Sequence, residues 1–455
     1  MQQGSRVIVV GGGLAGREAA RYAVRLEADV TLITGSLDPR VRLDSSAVRF
    51  LAGEAGRAAQ AWEPEGPSPG REYAPAMRET LVAALEIAAG NFDNQMAELQ
   101  DIGVQIMEGT ACVSATDSVS VTRPGEQAQY LNCRSMILAP GARLFFDALS
   151  PCVITPASMP SLEEVPESLV VLGSSAAALE LARFLSSYGV LVTVVGGRSS
   201  ALGFLDGELR ARVVERGADN RIRILTEVTA VAGTTDDRVD LLLSDGTHVD
   251  ADCVLPCGEG ALRTEGLGLE GPGVQVGPDG EIVVDERMQT NIPGIFAVGS
   301  VTGRCSPNIA IRQAKVAAEN ALGGESRVNY NLIPSAVWFE PEIGAVGMTE
   351  EEAAQVGVPI VKSSVCFPSV PGPERCVKLI VDESTDRILG VHAFGDGAVE
   401  AVHMGALAMH ADVTLGDIAE IACVEGTVAE SVAAAALRGR QPLPELVHPL
   451  ITGPE

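Results

Sequence analysis

The stretch Arg6-Val-Ile-Val-Val-Gly-Gly-Gly-Leu-Ala-Gly16 decides the fold. Its β-branched start predicts a strand, its glycines a turn, and residues 17–26 a helix that leads into a second strand, Asp29-Val-Thr-Leu-Ile33. Within that strand, turn and helix, Gly11, Gly13 and Gly16 fall at Gly-x-Gly-x-x-Gly spacing, the pattern of a dinucleotide turn. Gly11 permits the tight turn, Gly13 lets a pyrophosphate approach the backbone, and Gly16 lets the helix lie close to the strand. The phosphates would then sit on the helix N-terminus, whose free N–H groups and macrodipole favour an anion.

A second unit of the same kind begins at Leu169-Val-Val-Leu172 and turns through Gly173-Ser-Ser-Ala-Ala-Ala178. A helix runs on to about residue 188, and Val190-Leu-Val-Thr-Val-Val195 is the next strand. Only the first glycine survives in this turn. Ser174, Ser175 and Ala178 are still small enough for a close backbone approach. The two units are the only internal duplication.

Working outward, 455 residues at about 150 per domain predict about three domains. The chain carries 33 basic and 60 acidic residues, a net charge of −27, which argues against nucleic acid or any other polyanion as partner. Lysine is confined to Lys315, Lys362 and Lys378. Apolar runs are interrupted well before the roughly 20 residues that a membrane span needs. Nine cysteines are scattered without zinc-site or Cys-x-x-Cys spacing, so no metal centre is expected, and the cysteines read as small buried hydrophobes in a reducing compartment. With a strand beginning at Arg6 there is no room for a cleavable leader, so a cytoplasmic location is expected.

Two such units, a later strand ending in Ala297-Val-Gly299, and phrases such as Thr290-Asn-Ile-Pro-Gly-Ile-Phe-Ala and Phe339-Glu-Pro-Glu-Ile-Gly-Ala-Val-Gly together resemble the pyridine nucleotide-disulfide oxidoreductases. Glutathione reductase, dihydrolipoamide dehydrogenase and mercuric reductase belong to that family. The resemblance covers nearly the whole chain. It implies an α/β protein of two dinucleotide-binding Rossmann-like domains and a C-terminal α/β dimerisation domain. The implied boundaries are 1–150 and 266–330 for the two parts of an FAD domain, 151–265 for an NAD(P) domain and 331–455 for dimerisation. FAD, NADPH or NADH, and a homodimer are implied with it.

The resemblance also sets which residues to watch. Around FAD it implies Gly11, Gly13, Leu14, Ala15, Gly16, Thr34, Gly35, Ala139, Gly141, Gly299 and Ser300. Thr34 stands where the family has a ribose-binding acid, and Ser300 where an Asp holds the ribityl chain. Around the nicotinamide nucleotide it implies Gly173, Ser174, Ser175, Ala178, Arg198 and Gly258, with Arg198 leaning towards NADPH. The family's Cys-x4-Cys pair is replaced by Arg40 and Ser45, and no cysteine occurs from Met1 to Ala111. Its proton-exchanging His becomes Glu425, although Glu430 persists. Arg49 takes the place of a Lys that pairs with Glu180 near the flavin. Arg40, Ser45, Arg49, Glu180, Glu425 and Glu430 are therefore the candidate catalytic positions. His448-Pro449 reads as a tail feature.

Without the cysteine pair, the expectation is a flavin-dependent NAD(P)H oxidoreductase that hands electrons directly to a small-molecule or protein acceptor. Two alternatives stay open: a catalytically degenerate homodimeric scaffold, and a flavoenzyme acting on a specialised metabolite.

Overall fold

The computed structural model describes residues 6–35, 74–143, 152–155, 158–173, 175–196, 202–219, 221–225, 228–234, 238–257, 261–304, 306–367 and 374–440. By contact the chain forms two units, Met1–Ala201 with Gly217–Tyr330, and Leu202–Arg216 with Asn331–Glu455.

In the first unit the expected β-α-β opening is present as β1 (Arg6–Val10), α1 (Leu14–Arg25) and β2 (Asp29–Thr34). α2 (Ala74–Asp101), β3 (Gln105–Glu108) and β4 (Ser135–Leu138) follow. The second copy is β5 (Ser168–Leu172), α3 (Ala176–Ser187) and β6 (Leu191–Val195). Next come α4 (Gly207–Asp219), β7 (Ile222–Leu225), β8 (Cys253–Pro256), β9 (Ile295–Ala297) and α5 (Pro307–Ala321). α4 belongs to the second unit as far as Arg216.

The strands form two parallel sheets, ordered β9-β4-β1-β2-β3 and β7-β6-β5-β8. The inner strands β1, β4 and β5 are nearly continuous apolar runs because both faces are covered, whereas the edges β3 and β7 carry exposed Gln105, Glu108 and Arg223. Ile8, Val10, Ile33, Met136 and Leu138 of the first sheet share a core cluster with Val119, Val121 and Leu131 of a small antiparallel sheet. In each parallel sheet a central strand, β1 or β5, has neighbours reached in opposite directions. That is the switch point where α/β proteins bind ligands, outside the carboxyl ends of the strands.

The second unit holds the antiparallel sheet β10 (Ser335–Val337), β11 (Ile343–Gly347), β12 (Ile360–Phe367), β13 (Arg375–Asp382) and β14 (Ile388–Phe394). Its order is β10-β11-β14-β13-β12, so β12 is an edge. Helices α6 (Glu350–Gln355), α7 (Ala398–His410), α8 (Leu415–Ala419) and α9 (Val428–Arg440) complete it. Val377, Leu379, Val391, Val402 and Ala435 lie in its core. The α/β architecture is the expected one. One expectation is corrected here: Cys366 and Cys376 are joined in a disulfide rather than kept as thiols, because β12 and β13 bring them face to face. Among the described residues no helix is long and apolar enough to cross a membrane.

Candidate nucleotide-binding site

At the carboxyl end of β1 the chain turns at Gly11, whose φ is +116°. A Cβ there would lie 2.0 Å from the carbonyl oxygen of Ala139, and one on Gly16 would lie 1.8 Å from the carbonyl oxygen of Gly11. Both contacts are with backbone, which cannot swing aside, so both positions require glycine. The Gly11 amide donates to Ile33 O at 2.8 Å, and the Ala139 amide donates to Val10 O at 2.7 Å. These bonds place the ends of β2 and β4 beside the turn, with Thr34, Gly35 and Gly141. Thr34 is buried and Gly35 exposed.

Gly13 is the N-cap of α1. Among the described residues no side chain caps this helix, and its first turn holds no acid. Its first N–H groups therefore face the crevice as anion donors. Gly299 closes the same crevice from the end of β9, with φ +77°; a Cβ there would lie 2.8 Å from the Ala15 Cβ. Ser300 is half-buried on the short turn that follows.

The second turn repeats the arrangement. The Gly173 amide donates to Val195 O at 3.0 Å, and the Cys257 amide donates to Leu172 O at 2.6 Å. Gly173 has φ +144°. Here Ser175 caps α3 itself: its Oγ accepts from the Ala178 amide at 3.2 Å and donates to Cys257 O at 3.2 Å. Glu180, on the next turn of α3, is buried with 1% exposure. Burial pushes the Cys257 thiol up to about 12. Burial, then Cys152 and Asp252, pushes Cys253 up to about 11.

The structure thus brings Gly11, Gly13, Leu14, Ala15, Gly16, Thr34, Gly35, Ala139, Gly141, Gly299 and Ser300 to one sheet end, and Gly173, Ser175 and Ala178 to the other. Arg40, Ser45, Arg49, Ser174, Arg198, Gly258, Cys305 and His448 lie outside the described residues. In the second unit Glu425 is exposed. Glu430 accepts from the Gly426 amide at 2.7 Å, and its own amide donates to Thr427 Oγ1 at 3.4 Å, a local turn leading into α9.

Three features were not read from the sequence. Arg17 is buried behind the first turn, where its Nη1 donates to Gly12 O at 2.8 Å and its Nε to Gln95 Oε1 at 3.0 Å; the guanidinium lies 4.9 Å from the centre of the Phe92 ring. Gln313, fully buried on α5, accepts from the Gly299 amide at 2.7 Å and donates to Thr302 Oγ1 at 3.1 Å and Tyr330 Oη at 3.0 Å. It thereby fixes the turn that carries Ser300.

The third is Lys378, a buried cation in the second unit. It donates to Asp206 Oδ1 at 2.6 Å, approaches Glu208 at 3.2 Å and pairs with Glu350. Burial would lower the Lys378 pKa, but hydrogen bonds to Asp206, Glu350 and Glu208 outweigh it and raise the pKa. Burial would likewise raise Asp206, but Lys378 and the Glu350 and Glu208 amides hold it below the usual carboxylate range. His392, also buried, takes the Asp206 amide on Nδ1 at 3.3 Å and meets Met348 O through Nε2 at 2.9 Å. Burial lowers its pKa. The only sequence signal for this network was the rarity of lysine.

A family model described as pyridine nucleotide-disulphide oxidoreductase matches residues 5–321, and one described as its dimerisation domain matches residues 333–436. The soluble pyridine nucleotide transhydrogenase of Pseudomonas putida is 32% identical over 320 residues, 68% of this chain and 69% of its own. Dihydrolipoyl dehydrogenase 2, mitochondrial, of Arabidopsis thaliana is 30% identical over 291 residues, 61% of this chain and 57% of its own. Among solved structures, LpdA from Mycobacterium tuberculosis superposes with a TM-score of 0.78 at 24% identity, covering 95% of this chain and 99% of that one. The HOCl-induced flavoprotein disulfide reductase RclA from Escherichia coli gives 0.77 at 20% identity, again over 95% and 99%. These two likenesses concern the fold.

Proposed function

Because the chain belongs to the pyridine nucleotide-disulphide oxidoreductase family, we propose that it takes electrons from NAD(P)H and passes them from flavin directly to an acceptor, without a Cys-x4-Cys pair beside the flavin. Members of the family use FAD and NAD(P)H. FAD, when bound, supplies the two-electron centre between nicotinamide and acceptor. The observation that carries the reading is the first turn: two glycines whose Cβ atoms would strike backbone, and an uncapped helix N-terminus behind them. Both suit a pyrophosphate. Gly11, Gly13, Leu14, Ala15 and Gly16 would hold it, with Ala139 and Gly141 on the adjoining strand end. Thr34 and Ser300 would meet the ribose and the ribityl chain with hydroxyls in place of carboxylates. Each exchange costs about 1 kcal/mol of hydrogen bonding, roughly a fivefold loss of affinity.

Gly173, Ser174, Ser175 and Ala178 would take the nicotinamide nucleotide, with Arg198 and Gly258 at its edges. Glu180 and Arg49 would form an ion pair holding the two cofactors in register. Arg40 and Ser45 fill the places of the missing cysteines. Glu425 and Glu430 belong to the C-terminal domain, which is matched by the family's dimerisation model and supports a homodimer.

The proposed acceptor is a second pyridine nucleotide, a class supported by the name of the soluble pyridine nucleotide transhydrogenase that is 32% identical. Purified protein is expected to be yellow, to bleach under anaerobic NADPH, and to regain its colour on adding an oxidised nicotinamide nucleotide analogue. A colourless protein whose melting temperature moves with neither FAD nor NADPH would sink the proposal. Bleaching without reoxidation by the analogue, but with reoxidation by a quinone, would transfer it to a quinone acceptor.

A further inference from the structure

Cys366 and Cys376 sit opposite each other on β12 and β13, one step from the end of the ladder, where Phe367 pairs with Arg375. Their Cα atoms are 4.1 Å apart, close to the roughly 4.5 Å of a non-hydrogen-bonded pair in an antiparallel ladder. The two sulfurs differ in access. Cys376 has 0% exposure, whereas Cys366 is half-buried on the edge strand. An incoming thiolate therefore reaches Cys366, and Cys376 is the leaving sulfur.

The surroundings match that polarity. The Glu374 carboxylate lies within 4.8 Å of both sulfurs. Arg212 stands 2.9 Å from Glu374, so the carboxylate is neutralised and does not repel an approaching anion. Of the thiols elsewhere, burial pushes Cys133 up to about 11 and Cys257 up to about 12, which keeps both protonated and poor nucleophiles.

We propose that Cys366–Cys376 is a thiol-exchange site for a low-molecular-weight monothiol of the glutathione class, with Cys366 as the sulfur attacked. This stands on the C-terminal unit alone and does not depend on the flavin reading. A thiolate bonds to Cys366 Sγ, the bond between the two protein sulfurs breaks, and Cys376 departs as a thiolate that takes a proton from water. A second thiolate then attacks the sulfur of the adduct, releasing the small disulfide and freeing Cys366. Two small thiols lose two electrons in all, and the protein disulfide gains them.

The test equilibrates the full chain with defined ratios of reduced and oxidised glutathione, followed by acid quenching, alkylation and mass mapping. One glutathione on Cys366 at intermediate ratios is expected, with both cysteines alkylated at the reducing extreme. Cys376→Ser is expected to carry glutathione on Cys366, and Cys366→Ser to carry none on Cys376. If the variants do not fold, the position of the adduct on the unaltered protein decides the matter. Three results would overturn the proposal: a disulfide that survives glutathione at concentrations that open it in denatured protein, an adduct on Cys376, or free thiols at both positions after isolation under oxidising conditions.

Discussion

The two glycine turns of the first unit have the same backbone plan and opposite treatments of the helix that follows. In both, the first glycine donates to the strand that follows the helix, at 2.8 Å from Gly11 to Ile33 and 3.0 Å from Gly173 to Val195. The first turn then leaves the α1 N-terminus uncapped, with three glycines and a buried arginine behind it. The second closes the α3 N-terminus with its own Ser175. An open end suits a resident anionic ligand, because the helix dipole and orphan N–H groups await a partner. A self-capped end is satisfied without a ligand, which suits a nucleotide that must arrive and leave.

The largest test of this contrast is Gly11→Ala. The φ of +116° and a backbone oxygen 2.0 Å from the new Cβ act together, so a cost above about 3 kcal/mol is expected. Absorbance should report protein with almost no flavin, while calorimetry still detects NADPH if the second turn folds independently of the first. Gly173→Ala is the converse. Its φ of +144° predicts a strain of about 1–3 kcal/mol and a tenfold to hundredfold weaker NADPH affinity at unchanged flavin content. Joint loss of both ligands in either variant would mean that the turns are not separate sites.

Arg17→Met sharpens the comparison further, because the second turn has leucine at the matching position: Leu179 follows Ala178 as Arg17 follows Gly16. The change removes a buried charged hydrogen bond to Gly12 O, worth about 1.5–3 kcal/mol, and leaves the carbonyl without that donor. Flavin content measured after dialysis should fall by about tenfold in affinity, with NADPH binding unmoved. Retention of flavin at wild-type affinity would reduce Arg17 to a packing role against Phe92 and Gln95.

How far the sequence could be read follows from the range of the interactions. The Gly-x-Gly-x-x-Gly turn, its flanking strands and its duplicate are local patterns, and they were legible as elements, although α1 starts at Leu14 rather than at residue 17. Arg17 was not, since its partner Gln95 lies 78 residues away and nothing in the motif calls for an arginine. Lys378 and Asp206 are 172 residues apart and become neighbours only when α4 packs in the second unit. Cys366 and Cys376 pair through strand register, which no short motif encodes. The fold was therefore legible at the level of elements, and the site at the level of its glycines. The buried polar groups behind them depend on tertiary contacts.

The smallest effect tests the cap itself. Ser175 meets the Ala178 amide and the Cys257 carbonyl, so its hydroxyl is occupied without any nucleotide. If it serves only as an N-cap, Ser175→Ala should cost about 1 kcal/mol of stability and Ser175→Gly only a few tenths, because glycine is tolerated at that position. The nucleotide affinity of both variants would then change by less than about threefold. If the hydroxyl instead turns to a phosphate when NADPH binds, both variants lose the same contact and their affinities fall together, whatever their stabilities. Thermal melts beside NADPH titrations separate the two cases. A parallel fall in affinity would show that the second turn also opens its helix end to an anion, and the contrast with the first would then hold only for the unliganded protein.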